Sequence, residues 1–174
     1  MPDKLKVYVV ESRLGPIYGA ESRRGLISLV MPAHDLRYFG QSLDRRAPGA
    51  ETQATEPGET ESGRQLLAYL KGELKEFDAP LDLRGLSQFS QAVLEELTRI
   101  PYGRTKSYGQ VAAAVGRPQA ARAVGRAVGA NPLPIFVPCH RVVGADGSLT
   151  GFASGLPTKR MLLDLERLGN PLFE

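Results

Sequence analysis

Residues 107–129 read Ser107-Tyr-Gly-Gln-Val-Ala-Ala-Ala-Val-Gly-Arg-Pro-Gln-Ala-Ala-Arg-Ala-Val-Gly-Arg-Ala-Val-Gly129, in a chain of 174 residues. Ser107 is a helix-capping residue type, so it predicts a helix over 108–115 that ends at Gly116. Pro118 is tolerated in a first helical turn and predicts a second helix through about Val128. Two short helices joined by a glycine-containing turn are typical of a helix-turn-helix.

The second of these helices carries mostly small side chains and two cations. Arg122 and Arg126 lie four positions apart, so they project from neighbouring turns on one side of the helix. A slim helix with two arginines suits insertion into a DNA groove, including a narrow one. Packing of its small residues against another helix is the alternative interpretation.

The charge of the chain is unevenly distributed around this motif. Seven basic residues and no acidic residue lie between Arg99 and Arg141, whereas residues 1–80 hold 11 Lys/Arg and 12 Asp/Glu. A local cationic stretch of this kind is typical of a surface that meets phosphate. A solvated basic face explains the charge equally well, so the charge alone leaves both interpretations open.

The remaining pattern predicts strands first and helices later. Apolar β-branched runs predict strands over 6–10, 17–20 and 25–30. Helices are predicted over 34–43, 65–74, 87–99 and 161–168, with Leu162, Leu165 and Leu168 facing inward in the last. The polar, Pro- and Gly-rich residues 44–63 indicate a long mobile loop. A linker over 77–85 predicts a boundary between domains 1–80 and 81–174.

Composition excludes several classes of protein. No apolar run approaches the roughly 18 residues that cross a bilayer, and the first residues lack a secretory-signal layout. A soluble, cytoplasmic protein of a reducing compartment is therefore expected. One cysteine and two histidines cannot build a Cys/His-only tetrahedral site, so we expect no structural zinc, no other metal and no cofactor.

The single cysteine, Cys139, lies in the run Ile135-Phe-Val-Pro-Cys-His-Arg-Val142. A reactive thiol needs a base or a lowered pKa, and the adjacent His140 is a candidate base, directly or through water. Arg141 is expected to favour the thiolate. Asp146, Asp164 and Glu166 are candidates to orient the histidine. Cysteine is also among the most buried residue types, so an inert structural thiol stays the leading interpretation of the spacing alone.

The run Val137-Pro-Cys-His-Arg-Val142 resembles the active-site motif of the O6-alkylguanine-DNA alkyltransferases, the methylated-DNA–protein-cysteine methyltransferases. Its flanks are similar in order and spacing over about residues 86–168: 100–109, 121–125, 131–132 and 159–166. The resemblance implies an α+β fold. It would have an N-terminal ribonuclease-H-like α/β supporting domain and a C-terminal, mainly helical, winged-helix-like domain for DNA binding and catalysis.

The resemblance also implies a reaction. Cys139 would accept an alkyl group from O6-alkylguanine, or from O4-alkylthymine, in a nucleotide flipped out of duplex DNA. His140 would act through a water as base and Glu166 would orient it. Tyr108 would help to protonate the departing guanine, and Asn131 would brace the active-site turn. The thioether product is stable, so each molecule would act once, as a monomer that could bind DNA cooperatively.

The binding residues follow from the same resemblance. Arg122 would take the place of the extruded nucleotide. Other DNA contacts are expected from the helix-turn-helix and the segment before it: Ala121, Ala123, Arg126, Ser107, Lys106 and Thr105. The substrate pocket is expected to involve Val142, Phe152, Ala153, Ser154 and Gly155. Phe152 and Ser154 depart from the Tyr and Gly that are frequent in the family, which makes the substrate range an open question.

Three other functions compete with alkyl transfer. A lesion-binding relative without chemistry would lack the nucleophilic cysteine, whereas Cys139 is present. A helix-turn-helix regulator would leave Cys139 unexplained. A cysteine hydrolase would need an oxyanion hole, and no feature of the sequence marks one.

Overall fold

A computed structural model describes residues 2–173. The N-terminal half forms a four-stranded sheet from β1 (Lys4–Ser12), β2 (Gly15–Ser22), β3 (Gly25–Val30) and β4 (Glu51–Ala54). The strand order is β3-β2-β1-β4, and only the β1–β4 pair is parallel. Two helices belong to this half, α1 (Leu36–Arg46) and α2 (Glu61–Leu70).

The C-terminal half is mainly helical. It contains α3 (Gln88–Thr98), α4 (Tyr108–Ala114), α5 (Ala121–Gly129) and α6 (Leu156–Leu168). Two short strands, β5 (Lys106–Ser107) and β6 (Val142–Val143), pair in parallel and tie the start of α4 to the segment after the cysteine. The expected α+β fold is confirmed, and no helix within residues 2–173 is long and apolar enough to span a membrane.

The sheet carries buried apolar side chains on both faces, and a register shift between β2 and β3 at Ala20/Glu21 interrupts the strict alternation of β3. From β3, Ile27 and Val30 pack with Phe39 and Leu43 of α1. Leu26 and Leu29 point the other way, into a core that α2 shares with the C-terminal helices. Every residue of β3 is buried, as expected for a strand covered on both sides. The boundary at residue 80 stays a prediction, and the main core is continuous across it.

Residues 77–85 run along β3 rather than away from it. The Leu26 amide donates to the Pro80 carbonyl at 2.9 Å, and the Asp82 amide donates to the Leu26 carbonyl at 2.8 Å. Gly25 has φ +123°, and a Cβ there would lie 2.1 Å from the Pro80 carbonyl oxygen. Glycine is therefore required at this position, both for the backbone conformation and for the close approach of the linker.

Several predicted boundaries are confirmed and others are wrong. Ser87 and Ser107 cap α3 and α4 as predicted, each side-chain oxygen accepting an N–H of the first turn. The mobile loop predicted over 44–63 is wrong, because this segment holds the end of α1, all of β4 and the start of α2. All four side chains of β4 are exposed, so its backbone pairing with β1 leaves no hydrophobic pattern in the sequence.

The second helix of the helix-turn-helix begins later than predicted. Gly116, with φ +75°, ends α4, and a further turn over 117–120 places Pro118 outside α5, which starts at Ala121. The last helix begins earlier than predicted, at Leu156, with Pro157 in its first turn. Leu162 and Leu165 face the core as expected, but Leu168 is 68% exposed, so its predicted inward position is wrong.

Candidate active site and DNA interface

Cys139 lies in a short 3₁₀ turn, Cys139–Arg141, where it is 5% exposed. It lines a pocket of about 320 Å³ between the two halves of the chain. Asn131 and the segment Gly151–Ser154 line the same pocket from the C-terminal half, and α1 contributes Tyr38 and Arg45 from the other side. Cys139 therefore lines a cavity that a small chemical group of a ligand can enter.

Burial raises the pKa of the Cys139 thiol, while a hydrogen bond from Asn131 and the charge of Lys159 act in the opposite direction. The resting side chain is therefore a protonated thiol at neutral pH, and a nucleophilic attack would need a base. Arg141, which the sequence suggested as the nearby positive charge, is instead engaged with Glu166. Lys159 is the cation that acts on the sulfur.

His140 is fully buried beside Cys139. Its Nε2 lies 2.7 Å from Glu166 Oε1, so Glu166, rather than Asp146 or Asp164, is the carboxylate that orients the ring. Burial lowers the pKa of His140 despite the hydrogen bond to Glu166, which leaves the imidazole neutral at neutral pH. Nδ1 has no hydrogen-bond partner among the described residues, so its lone pair is available to accept a proton.

Glu166 is the centre of a dense hydrogen-bond cluster. Arg141 donates to it through Nε at 3.0 Å and through a terminal nitrogen at 2.8 Å. The Gly103 amide donates to Oε2 at 3.1 Å, and the Tyr69 hydroxyl donates to Oε1 at 2.7 Å. Burial would raise the pKa of Glu166, but the hydrogen bonds and charges of His140 and Arg141 outweigh it and hold the pKa well below its usual range.

Asn131 braces the segment that leads to the thiol. Its side-chain amide donates to the Val137 carbonyl at 2.9 Å, and its Oδ1 accepts from the Leu133 amide at 2.9 Å. Between these contacts, Ile135 adopts φ +74°, a conformation that costs a non-glycine residue about 1–3 kcal/mol. Asn131 therefore supports a strained turn whose shape fixes the position of Cys139.

Lys159 is a buried cation that the sequence left unassigned. Its Nζ donates to the Val142 carbonyl at 2.6 Å and to the Thr150 carbonyl at 3.0 Å, and its side chain has no exposed area. Burial lowers its pKa. Two backbone carbonyls on either side of the loop 144–149 are thus held together by one ammonium group close to the thiol.

Tyr108, the first residue of α4, reaches the same loop. Its hydroxyl donates to the Thr150 carbonyl at 3.1 Å, and its ring lies 3.9 Å from the Cβ position of Gly125 in α5. Burial raises its pKa, so the hydroxyl keeps its proton at neutral pH.

Of the predicted pocket residues, Phe152, Ala153 and Ser154 line the pocket. Val142 is buried behind it as an acceptor for Lys159, and Gly155, with φ +90°, precedes α6.

The predicted DNA-contact residues differ in their availability. Arg122 and Arg126 of α5 are exposed and take part in no ion pair among residues 2–173, while Ala121 and Ala123 flank Arg122. Lys106 is bound to Glu96 at 2.8 Å, and the Ser107 hydroxyl is used as the cap of α4. Thr105 is exposed just before β5.

The charge of the cationic stretch is therefore partly neutralised. Glu96 pairs with both Arg99 and Lys106, and Glu166 pairs with Arg141. Arg117 lies over the ring of Phe89 at 5.6 Å. Arg104, Arg122 and Arg126 are the basic residues of the stretch that make no such contact within the described chain, and two of them are on α5.

Comparison with known proteins gives the family of the chain. Residues 88–168 match the family described as 6-O-methylguanine DNA methyltransferase, DNA binding domain. A methylated-DNA–protein-cysteine methyltransferase of Methanosarcina barkeri is 41% identical over 158 residues, which are 91% of this chain and 94% of the relative. The chain belongs to the methylated-DNA–protein-cysteine methyltransferase family. The expected family membership is thereby confirmed.

Two mycobacterial comparisons add detail. The Mycobacterium tuberculosis methylated-DNA–protein-cysteine methyltransferase is 57% identical over 107 residues, which span 62% of this chain and 64% of that protein. The crystal structure of Mycobacterium tuberculosis OGT in complex with DNA superposes with a TM-score of 0.81 at 42% identity. That superposition covers 95% of both chains, so the similarity of fold includes the N-terminal half.

The sequence predicts only a packing position for Tyr69 and gives Lys159 only as part of a motif. Tyr69 occupies a position on the apolar stripe of α2 and reads as an ordinary core aromatic. A buried tyrosine nevertheless needs a partner for its hydroxyl, and that requirement is the one local signal that was present. The partner, Glu166, lies 97 positions away and cannot be identified from spacing.

Proposed function

We propose that this protein repairs DNA by transferring a methyl or other alkyl group from O6-alkylguanine, and from O4-alkylthymine, irreversibly to its own Cys139. The observation that carries the proposal is the arrangement of the thiol. The only cysteine of the chain lines a pocket, and beside it His140 is neutral with Nδ1 free to accept a proton. Family membership supports the same chemistry.

The proposed reaction is an in-line displacement at the alkyl carbon. The sulfur of Cys139 forms a bond to that carbon while the bond from carbon to guanine O6 breaks, and the electron pair leaves with the guanine. The thiol proton passes to His140 Nδ1 through a water, which Glu166 favours because it holds Nε2–H. The departing guanine takes up one proton, so thioether and guanine are formed without any other reactant.

Tyr108 and Asn131 would assist the transfer. Tyr108 keeps its proton because burial raises its pKa, so its hydroxyl is suited to donate to the departing guanine. Asn131 would keep Cys139 in the attacking position through its contacts to Val137 and Leu133. The backbone at Cys139 and Val142 would recognise the edge of the guanine, and Phe152 would pack against the base.

DNA would be bound through α5, with the helix in the minor groove. Arg122 and Arg126 are exposed and unpaired within residues 2–173, and small side chains beside Arg122 allow close approach. Arg122 would fill the space that the flipped nucleotide leaves. The DNA backbone beside α5 would be contacted by Ser107, Lys106 and Thr105. Lys106 also forms an ion pair with Glu96, so its charge is shared between Glu96 and the DNA phosphate. We further propose that the protein is a cytoplasmic monomer that uses no cofactor and no metal. Cooperative binding of several protein molecules to DNA would be measurable as a steep binding isotherm.

The test is mass spectrometry of the intact protein after incubation with duplex DNA that contains O6-methylguanine. The expected result is a gain of one methyl group, located on Cys139, and no gain in Cys139→Ser. The Cys139→Ser variant should still bind the duplex, because α5 is unchanged. Unmodified wild-type protein that binds the lesion would contradict alkyl transfer and favour a lesion-binding function.

A further inference from the structure

The Glu166 carboxylate receives hydrogen bonds from both halves of the chain. His140, Arg141 and Gly103 reach it from the C-terminal half, and Tyr69 of α2 reaches it from the N-terminal half. The Tyr69 hydroxyl and His140 Nε2 each lie 2.7 Å from the same oxygen, Oε1. They lie 3.4 Å from each other, so the three polar atoms form a compact triangle.

The protonation states in this triangle are fixed by the chemistry of the carboxylate. An ionised carboxylate accepts hydrogen bonds and donates none, so Tyr69 and His140 must both be donors. A neutral imidazole has one N–H, and placing it on Nε2 leaves the lone pair on Nδ1. The tautomer of His140 therefore depends on how Glu166 Oε1 is held.

The hydroxyl of Tyr69 is not explained by packing. The side chain is fully buried, and its ring contacts Phe77 and Tyr102 at centroid distances of 5.2 and 6.2 Å. A phenylalanine would make the same ring contacts without the cost of burying a hydroxyl, which requires a hydrogen bond in compensation. That hydrogen bond is directed at Glu166, within a cluster from which water is excluded.

We propose that Tyr69 is a positioning residue for alkyl transfer: its hydroxyl fixes Glu166 Oε1 against His140 Nε2, so that Nδ1 remains the proton-accepting nitrogen. The inference rests on the proposed function, and it assigns to the N-terminal half a part in the proton relay that acts on Cys139. Arg141 also donates to Oε1, through a terminal nitrogen at 2.8 Å, and Gly103 donates to Oε2, but both come from the C-terminal half. Tyr69 is the donor from the N-terminal half, and its hydroxyl is the one that lies 3.4 Å from the imidazole Nε2.

The variant Tyr69→Phe tests this inference, because it removes the hydroxyl and keeps the ring. Tyr8→Phe is the matched control: Tyr8 is also buried in the N-terminal half and makes one side-chain hydrogen bond, to Ser62 at 3.0 Å. We expect Tyr69→Phe to slow single-turnover transfer to Cys139 by about 3- to 10-fold, the effect of one buried hydrogen bond. Tyr8→Phe should lower the melting temperature by a similar amount and leave the transfer rate unchanged.

A second readout concerns the imidazole itself and needs no DNA. The chain has two histidines, so ¹⁵N-labelled histidine gives a spectrum in which His140 is assigned against His34. Wild-type protein should show one Nε2–H tautomer for His140. In Tyr69→Phe the Nδ1 and Nε2 resonances should move towards each other, as the second tautomer becomes populated.

A double-mutant cycle separates positioning from general destabilisation. If Tyr69 acts through Glu166, Tyr69→Phe should have little further effect on the transfer rate in a Glu166→Gln background. Additive losses, or unchanged histidine resonances in Tyr69→Phe, would overturn the inference. Failure of wild-type protein to accept a methyl group would instead overturn the proposed function, and the resonances would still report whether Tyr69 controls the tautomer.

Discussion

His140 Nε2 and Glu166 Oε1 lie 2.7 Å apart with neither side chain exposed to solvent. Because burial lowers the pKa of His140 below 6.5 and the pKa of Glu166 lies well below 4.5, the pair consists of a neutral imidazole and a carboxylate at neutral pH. Both groups bind protons more readily in the unfolded chain than in the folded one. This difference gives the protein a defined pH dependence.

The free energy of unfolding should decrease in two steps as pH falls. From about pH 6.5 downwards the unfolded chain protonates His140 while the folded one does not, until the lowered pKa is reached. Below about pH 4.5 the unfolded chain also protonates Glu166, which costs further stability. Urea unfolding monitored between about pH 8 and pH 4 measures both steps. The variant His34→Gln should keep them, and a flat profile in wild-type protein would contradict the assigned protonation states.

The rate of alkyl transfer should follow the same histidine. A neutral His140 is needed to accept the thiol proton, so the rate should stay constant as pH falls from 7 towards 6.5 and decrease only through the lowered pKa. Single-turnover kinetics with a free benzylated guanine base measure this limb without a contribution from DNA binding. A rate that already halves near pH 7 would show that another group limits the reaction.

Lys159→Met should destabilise the protein and slow alkyl transfer. The variant removes the hydrogen bonds from Lys159 to the carbonyls of Val142 and Thr150, of which the Thr150 carbonyl keeps Tyr108 as a donor, and we expect a loss of about 1–3 kcal/mol of unfolding free energy. It also removes the positive charge that opposes the rise in the pKa of Cys139, so thiol labelling should require higher pH. Arg160→Met, at the exposed neighbouring position, is the control and should leave both measurements close to wild type.

Asn131→Ala should release the strained turn before Cys139. Two hydrogen bonds to the backbone are lost, one to the Val137 carbonyl and one from the Leu133 amide, at a cost of about 1–3 kcal/mol. Without these hydrogen bonds Ile135 can relax from φ +74°, so the position of the Cys139 thiol becomes less well defined. Denaturant unfolding and single-turnover transfer should both be impaired, whereas Asn170→Ala, at an exposed site, should change neither.

Arg122→Ala should slow repair within duplex DNA more than reaction with a free benzylated guanine. The slope of log affinity against log salt should also become shallower by about one unit if Arg122 releases one counterion from DNA. Arg167→Ala, an exposed arginine on α6, is the control for a simple loss of charge. Equal losses on the duplex and on the free base would argue against a role for Arg122 in nucleotide flipping.

Local chemistry explains which features could be predicted from the sequence. Ser87 and Ser107 identify helix starts because a hydroxyl in that position satisfies free backbone N–H groups, and β3 is recognisable from its unbroken apolar run. β4 carries no such information, because an exposed edge strand is specified by its pairing with β1. Pro118 is compatible with a helix start but does not require one, and the turn after Gly116 shifts α5 by three residues.

The residues of the candidate site also fall into those that the sequence identifies and those that only the fold brings together. Cys139, His140 and Asn131 are neighbours along the chain, so their motif could be read directly. The choice of Glu166 over Asp164 depends on the direction from which α6 approaches the turn, and only the fold supplies it. Tyr69 depends on an association between the two halves of the chain, which no local pattern encodes.

The core that runs without interruption from β1 to α6 has a consequence for how the molecule can be divided. Leu26 and Leu29 of the sheet share this core with Leu97 and Leu162 of the C-terminal helices. The C-terminal half, although it holds the thiol and the DNA-binding helices, would expose this apolar surface if it were produced alone. Heating the intact protein should accordingly give one calorimetric transition, in which both halves lose their structure together.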